Sequence, residues 1–127
     1  MFKIDLRSHK SIYEQITDGF KEMIMTGVLA CGEKIPSVRE LSKDLGVNPN
    51  TIAKSYRELE RQGYIYTATG RGTFVADKSK LKAEPVEIER AKDALWGGFR
   101  ELLFLGIDYD EAIKIAEELF EERRKNS

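Results

Sequence analysis

Asn50, Lys54, Arg57 and Arg61 recur at three- and four-residue spacing and bring together one amide and three cations. On a helix advancing by about 100° per residue, all four lie within about 40° of the direction opposite Ile52, and no acid shares that arc. Ile52, Tyr56 and Leu59 occupy the other side, with Glu58 and Glu60 on the flanks. Such a face suits a nucleic acid. An asparagine amide can pair bidentately with adenine, and a lysine can donate to guanine. Where a helix enters the major groove, its first residues reach base edges and later ones meet phosphates. Asn50, Thr51 and Lys54 are therefore the base-edge candidates, and Arg57 and Arg61 the phosphate candidates. A solvated helix face would carry the same residue types, so the flanking segments must decide.

Two further cations stand in suitable surroundings. Ser37-Val38-Arg39-Glu40 has the pattern of a capping box and puts Arg39 in the first turn of a helix, where free amides can also receive a phosphate. The alternative for Arg39 is a surface pair with Glu40 or Glu58. In Gly70-Arg71-Gly72 the glycines allow close approach of a backbone while Arg71 enters a minor groove. The candidate DNA-binding set is thus Ser37, Arg39, Asn50, Thr51, Lys54, Arg57, Arg61, Gly70 and Arg71.

Catalysis and metal binding find no comparable set. Cys31 is the single cysteine and His9 the single histidine, which excludes an internal disulfide and the usual zinc patterns. There is no nucleophile–base pair, paired-carboxylate signature or glycine-rich phosphate loop. An enzyme is not expected, nor a cofactor. His9 reads as a surface residue, Cys31 as a small filler, and Trp96 and Tyr109 as packing groups. No apolar run approaches the roughly 18 residues of a membrane span, and the first residues lack the apolar block of a signal peptide, so a cytoplasmic protein is expected.

The elements that must position these residues are legible. Of the 127 residues, 41% are hydrophobic and 34% charged, enough apolar material for a core. Ser11-Ile12-Tyr13-Glu14 opens a helix as a capping box; Ile12, Ile16, Phe20 and Ile24 form its apolar stripe, and Gly27 closes it. Val38, Leu41 and Leu45 mark a short second helix ending at Gly46. Only Val47 and Asn48 follow before Pro49 begins the third, which runs to about Gln62, with Asn48 as N-cap and Val47 stapled onto Ile52. After Gly63 the period turns extended, and Tyr64–Thr69 and Thr73–Val75 read as a hairpin with Arg71 at its tip.

The expected fold is mainly α with a small β-hairpin wing: a winged helix-turn-helix over residues 1–76, with the helix-turn-helix at about 38–57 and the wing at about 64–75. Residues 77–84, polar, alternating in charge and without period, read as a linker. Residues 85–127 read as a helix pair: Pro85 starts one helix, with Ile88, Ala91, Leu95, Phe99 and Leu102 as its stripe, and Asp108 caps the other. Residues 1–76 hold 11 basic against 9 acidic side chains, and residues 77–127 hold 10 against 13, so a net charge of −1 conceals a basic first part.

The stretches Gly32–Leu41, Leu45–Ile52, Tyr56-x-x-Leu59-x-x-x-Gly63 and Gly70-x-Gly72-Thr73-Phe74-Val75 resemble the GntR family of bacterial transcription regulators. Asn48-Pro49-Asn50-Thr51 is similar to the YtrA-type subfamily, and it departs from the Ser-Arg or Thr-Arg of many members, so their arginine base contact is missing. The resemblance implies a homodimeric repressor that binds double-stranded DNA at a palindromic operator. It also implies a short two-helix dimerisation segment and control of a transporter operon, and leaves a small-molecule effector open. By position it places DNA contacts on Arg39, Asn50, Thr51, Gly70 and Arg71. The competing reading is a winged-helix module that binds protein without specific DNA binding; it requires apolar residues on the outward face of the third helix.

Overall fold

A computed structural model of the chain describes residues 3–126; residues 1, 2 and 127, at the outer ends of the expected domains, lie outside the described residues. The chain divides into two compact units, Met1–Lys82 and Ala83–Ser127.

In the first unit, helix α1 spans Ile12–Met25, and Ile16, Phe20 and Ile24 are buried as the four-residue spacing requires. Its N-terminus carries half of the expected box: the Glu14 amide donates to the Ser11 hydroxyl at 3.1 Å, while the Glu14 carboxylate accepts from that hydroxyl and leaves the Ser11 amide alone. Helix α2 (Val38–Leu45) has the complete box. The Glu40 amide donates to Ser37 Oγ, and the Ser37 amide donates to Glu40 Oε1. Gly46 turns left-handed, and helix α3 (Pro49–Gln62) starts after the cap Asn48, whose side chain accepts from the Asn50 amide at 2.8 Å.

Strands β2 (Ile65–Ala68) and β3 (Gly72–Val75) form the wing, paired Ile65 with Val75 through Ala68 with Gly72. The structure adds a strand that the sequence pattern did not show. Strand β1 (Lys34–Ile35) pairs antiparallel with β3 and makes a three-stranded sheet of order β1-β3-β2. Two residues are too few to show a period.

Three α-helices and the sheet bury one core of Ile16, Phe20, Ile24, Ile35, Leu41, Ile52, Tyr56, Leu59, Ile65 and Val75, among others. Phe20 and Tyr56 meet edge to face at 5.5 Å, a geometry that adds to their burial. Burial pushes the Tyr56 hydroxyl above its ordinary range; it stays protonated and donates to the Pro36 carbonyl at 2.6 Å, tying α3 to the lead-in of α2.

The expected linker is partly ordered. Asp77 caps a 3₁₀ turn at Lys78–Lys80, and the Lys82 amide donates to the Gln62 carbonyl at 3.1 Å. Gly63 serves both sides of that contact: its φ is +90°, and a Cβ there would stand 2.0 Å from the Lys80 carbonyl oxygen. Cys31 is exposed on the turn before β1, a surface residue and not the filler expected.

The second unit consists of helices α4 (Pro85–Phe104) and α5 (Tyr109–Asn126), with the Glu111 amide donating to the Asp108 cap at 2.9 Å. It has almost no interior of its own. Among its described hydrophobic residues only Ala112 is buried, whereas Leu95 is 61% exposed and Phe104 77%. Trp96 and Tyr109 are likewise exposed within the chain and pack against no core there.

Candidate nucleic-acid interface

Helix α3 turns Ile52, Ser55, Tyr56 and Leu59 inward and leaves Asn50, Lys54, Arg57 and Arg61 exposed, as the wheel angles require. Thr51 is half-buried on the side of the helix, less outward than its base-edge assignment asks. The Asn50 amide N–H is taken by Asn48, but the Asn50 side chain projects without a hydrogen bond to any described residue.

The three cations of this face are in different situations. Arg57 has no ion pair among the described residues. Lys54 leans toward α1, with Nζ 4.3 Å from the centroid of the Tyr13 ring. Arg61 is clasped by Glu58: Nε donates to Oε2 at 2.9 Å, and Nη2 donates to Oε1 at 2.5 Å. The Glu58 carboxylate also accepts from Gln62 Nε2, and these bonds hold its pKa down to about 2. Glu58 sits only about 60° off the cationic arc, within reach of a long side chain three residues away. Half of Arg61's charge-bearing fork is therefore already satisfied inside the protein.

The α2 and wing residues frame this helix. Ser37 spends its hydroxyl oxygen on the cap, and the same bonds lower the Glu40 pKa, so the acid beside Arg39 is occupied with the backbone. Arg39 itself is exposed and pairs with neither Glu40 nor Glu58 among the described residues. At the wing, the Arg71 amide donates to the Ala68 carbonyl at 2.9 Å and closes the turn, leaving Gly70 and the Arg71 side chain exposed. Glu60 fastens the wing to α3 by accepting from the Thr67 amide at 3.0 Å.

Sequence reasoning missed one cation here. Lys34, on β1, runs its alkyl stem across β3 at Gly72. A Cβ on Gly72 would meet Lys34 Cε at 2.7 Å, and φ there is +125°. Gly72 thus makes room for a lysine that brings its ammonium to the turn end of the wing, beside the Ala68–Gly72 pair. Only the pairing of Lys34 with Phe74 shows this, and no local pattern carries it.

The chain matches the family described as "Bacterial regulatory proteins, gntR family" over residues 12–75. It is 38% identical over 111 residues to the HTH-type transcriptional repressor YtrA of Bacillus subtilis, covering 87% of this chain and 85% of that protein. Its fold is similar to a crystal structure described as a transcriptional antiterminator from Listeria monocytogenes EGD-e: TM-score 0.76, 40% identity, 98% of this chain and 92% of that one. It is also similar to the crystal structure of AraR(DBD) in complex with operator ORE1, with TM-score 0.51 and 35% identity over 60% of this chain and 95% of that one.

Proposed function

This chain belongs to the GntR family of bacterial regulatory proteins, as a transcriptional regulator with a winged-helix DNA-binding domain, and from that premise we propose that it is a repressor that grips a palindromic operator as a homodimer. The observation that carries the reading is the exposed side of α3, which holds Asn50, Lys54, Arg57 and Arg61 and no apolar residue among them. A protein-docking helix would present apolar anchors there.

In this reading α3 enters the major groove. Asn50 and Lys54 reach base edges, with Thr51 beside them, and Arg57 meets phosphate. Arg39 and the α2 N-terminus, capped by Ser37, meet the backbone of the same half-site. The wing lays Gly70 and Arg71 against the flanking groove, with Lys34 behind them. Arg61 contributes less than its position promises, because Glu58 shares its charge. The AraR structure, solved on an operator, supports the use of this kind of domain on duplex DNA.

The dimer rests on the second unit. Its exposed Leu95, Phe104, Leu119 and Phe120 cannot be buried by a pair of helices alone, and a second copy offers the same surfaces by twofold symmetry. The test is selection of bound duplexes from a random library, followed by footprinting on the enriched sequence. An inverted repeat with half-sites about one helical turn apart supports the reading. Enrichment of no sequence above competitor DNA refutes it in favour of a protein-binding module.

A further inference from the structure

We propose that Tyr13, on α1, is a positioning residue for DNA reading: its ring fixes the ammonium of Lys54 where the recognition helix presents it. The inference rests on the base-edge assignment of Lys54 made above. A free lysine on an exposed helix face samples many rotamers, and ordering it on DNA costs conformational entropy. Lys54 is not in that state, because its Nζ stands 4.3 Å from the Tyr13 ring centroid, well inside the range over which a ring face attracts a cation.

The backbone that carries the ring is tied to α3. Ser55, next to Lys54 and with no exposed surface, donates its hydroxyl to the Tyr13 carbonyl at 3.2 Å, and Thr17 donates to the same oxygen at 2.8 Å. The Ser55 bond ties the Tyr13 backbone to α3, one residue from the lysine the ring orders, while the Thr17 bond stays within α1. The ammonium gives one side to the ring and keeps its N–H donors on the other for a base edge. Tyr13 thus acts through Lys54, by reducing what must be ordered when DNA binds.

The experiment compares base-preference profiles of the full-length wild type, Lys54→Ala, Tyr13→Leu and Tyr13→Phe, using operator duplexes with every single base-pair substitution. Expected is a loss of discrimination of about two- to fivefold per half-site in Tyr13→Leu, at the position that Lys54→Ala also flattens. Tyr13→Phe, which keeps the ring, should retain the wild-type profile. In the free wild-type protein the Lys54 ε-methylene protons should be shifted upfield by the ring current, a readout that requires no substitution. Absence of that shift overturns the proposal, even if Tyr13→Leu fails to fold. A Tyr13→Leu profile equal to wild type while Lys54→Ala changes overturns the positioning role alone. An unchanged Lys54→Ala profile overturns it together with the base-edge assignment. A Tyr13→Phe profile matching Tyr13→Leu also overturns it, since the hydroxyl and not the ring would then matter.

Discussion

At the scale of single residues, the outward face of α3 is three kinds of cation and not one. Arg57 is unpaired among the described residues, Lys54 is parked on a ring, and Arg61 is partly engaged by Glu58. Their substitutions should separate accordingly. Asn50→Ala and Lys54→Ala are expected to relax preference at particular base pairs by about 1–3 kcal/mol, whereas Arg57→Ala weakens all sequences alike, because phosphates carry no sequence information. A panel of substituted operators measured by fluorescence anisotropy distinguishes the two; a base-specific effect of Arg57→Ala would mean the helix is rotated in the groove. Glu58→Gln should act in the opposite direction. It removes a negative charge beside the Arg61 guanidinium and weakens the clasp on it, so affinity rises for every duplex and the salt dependence steepens. The same carboxyl sets an acid sensitivity. Its pKa lies at about 2 against an ordinary 4.5, so its stabilising contribution is complete above about pH 4.5 and is lost as the pH falls toward 2. Urea midpoints across that window should decline less steeply in Glu58→Gln than in wild type; equal slopes would show that the pair does not persist in solution. The sequence made the four outward positions readable through helical period alone. It did not reveal their partners, because a wheel gives Cβ directions while Glu58 reaches sideways and Tyr13 comes from another helix.

At the scale of elements, the capping box of α2 joins folding to binding. Ser37 and Glu40 satisfy each other's amides, and the geometry they fix carries Arg39. Ser37→Ala should cost about 1 kcal/mol of stability and weaken DNA binding by loosening the turn that carries Arg39. Thermal unfolding with anisotropy on the same samples checks this, and a full loss of cooperativity would mean the cap is not a local feature. Elements with strong punctuation were legible in the sequence: Ser37, Gly46, Asn48-Pro49 and Gly63 each mark a boundary the structure keeps. What escaped was whatever depends on distant pairing. Strand β1 exists because β3 offers it an edge, and two residues contain no alternation to read. The turn at Lys78–Lys80 exists because Gly63 lets the Lys80 carbonyl approach and Gln62 accepts from Lys82; a polar stretch without period gives no sign of either contact. Trp96 and Tyr109 find no core to pack against within the single chain, since a pair of helices has too little interior to cover them.

At the scale of the whole molecule, a net charge of −1 must bind a polyanion. General attraction is therefore feeble, and affinity has to come from a few placed cations, counted twice in the proposed homodimer. Two consequences follow from the division of the chain. Residues 1–84 hold the buried core, so this fragment should fold as a monomer with weak operator affinity, whereas the full chain sediments as a dimer; a stable dimer of the fragment would place the interface in the winged helix. The second consequence is read in salt. Each cation that meets a phosphate releases a counterion, so log affinity falls linearly with log salt, with a slope close to the number of such contacts. In the proposed complex Arg39, Arg57 and Arg71 would supply them in each subunit, with Lys34 near the wing's turn. Arg71 is exposed at a turn closed by its own backbone, so its side chain can be removed without disturbing the sheet. Arg71→Ala should make the slope shallower by roughly two per dimer, one for each wing, and leave the sedimentation coefficient unchanged. Operator affinity by anisotropy at several salt concentrations measures this directly. An unchanged slope would show that the wing meets no phosphate, and the helix-turn-helix alone would then carry the electrostatic part of binding.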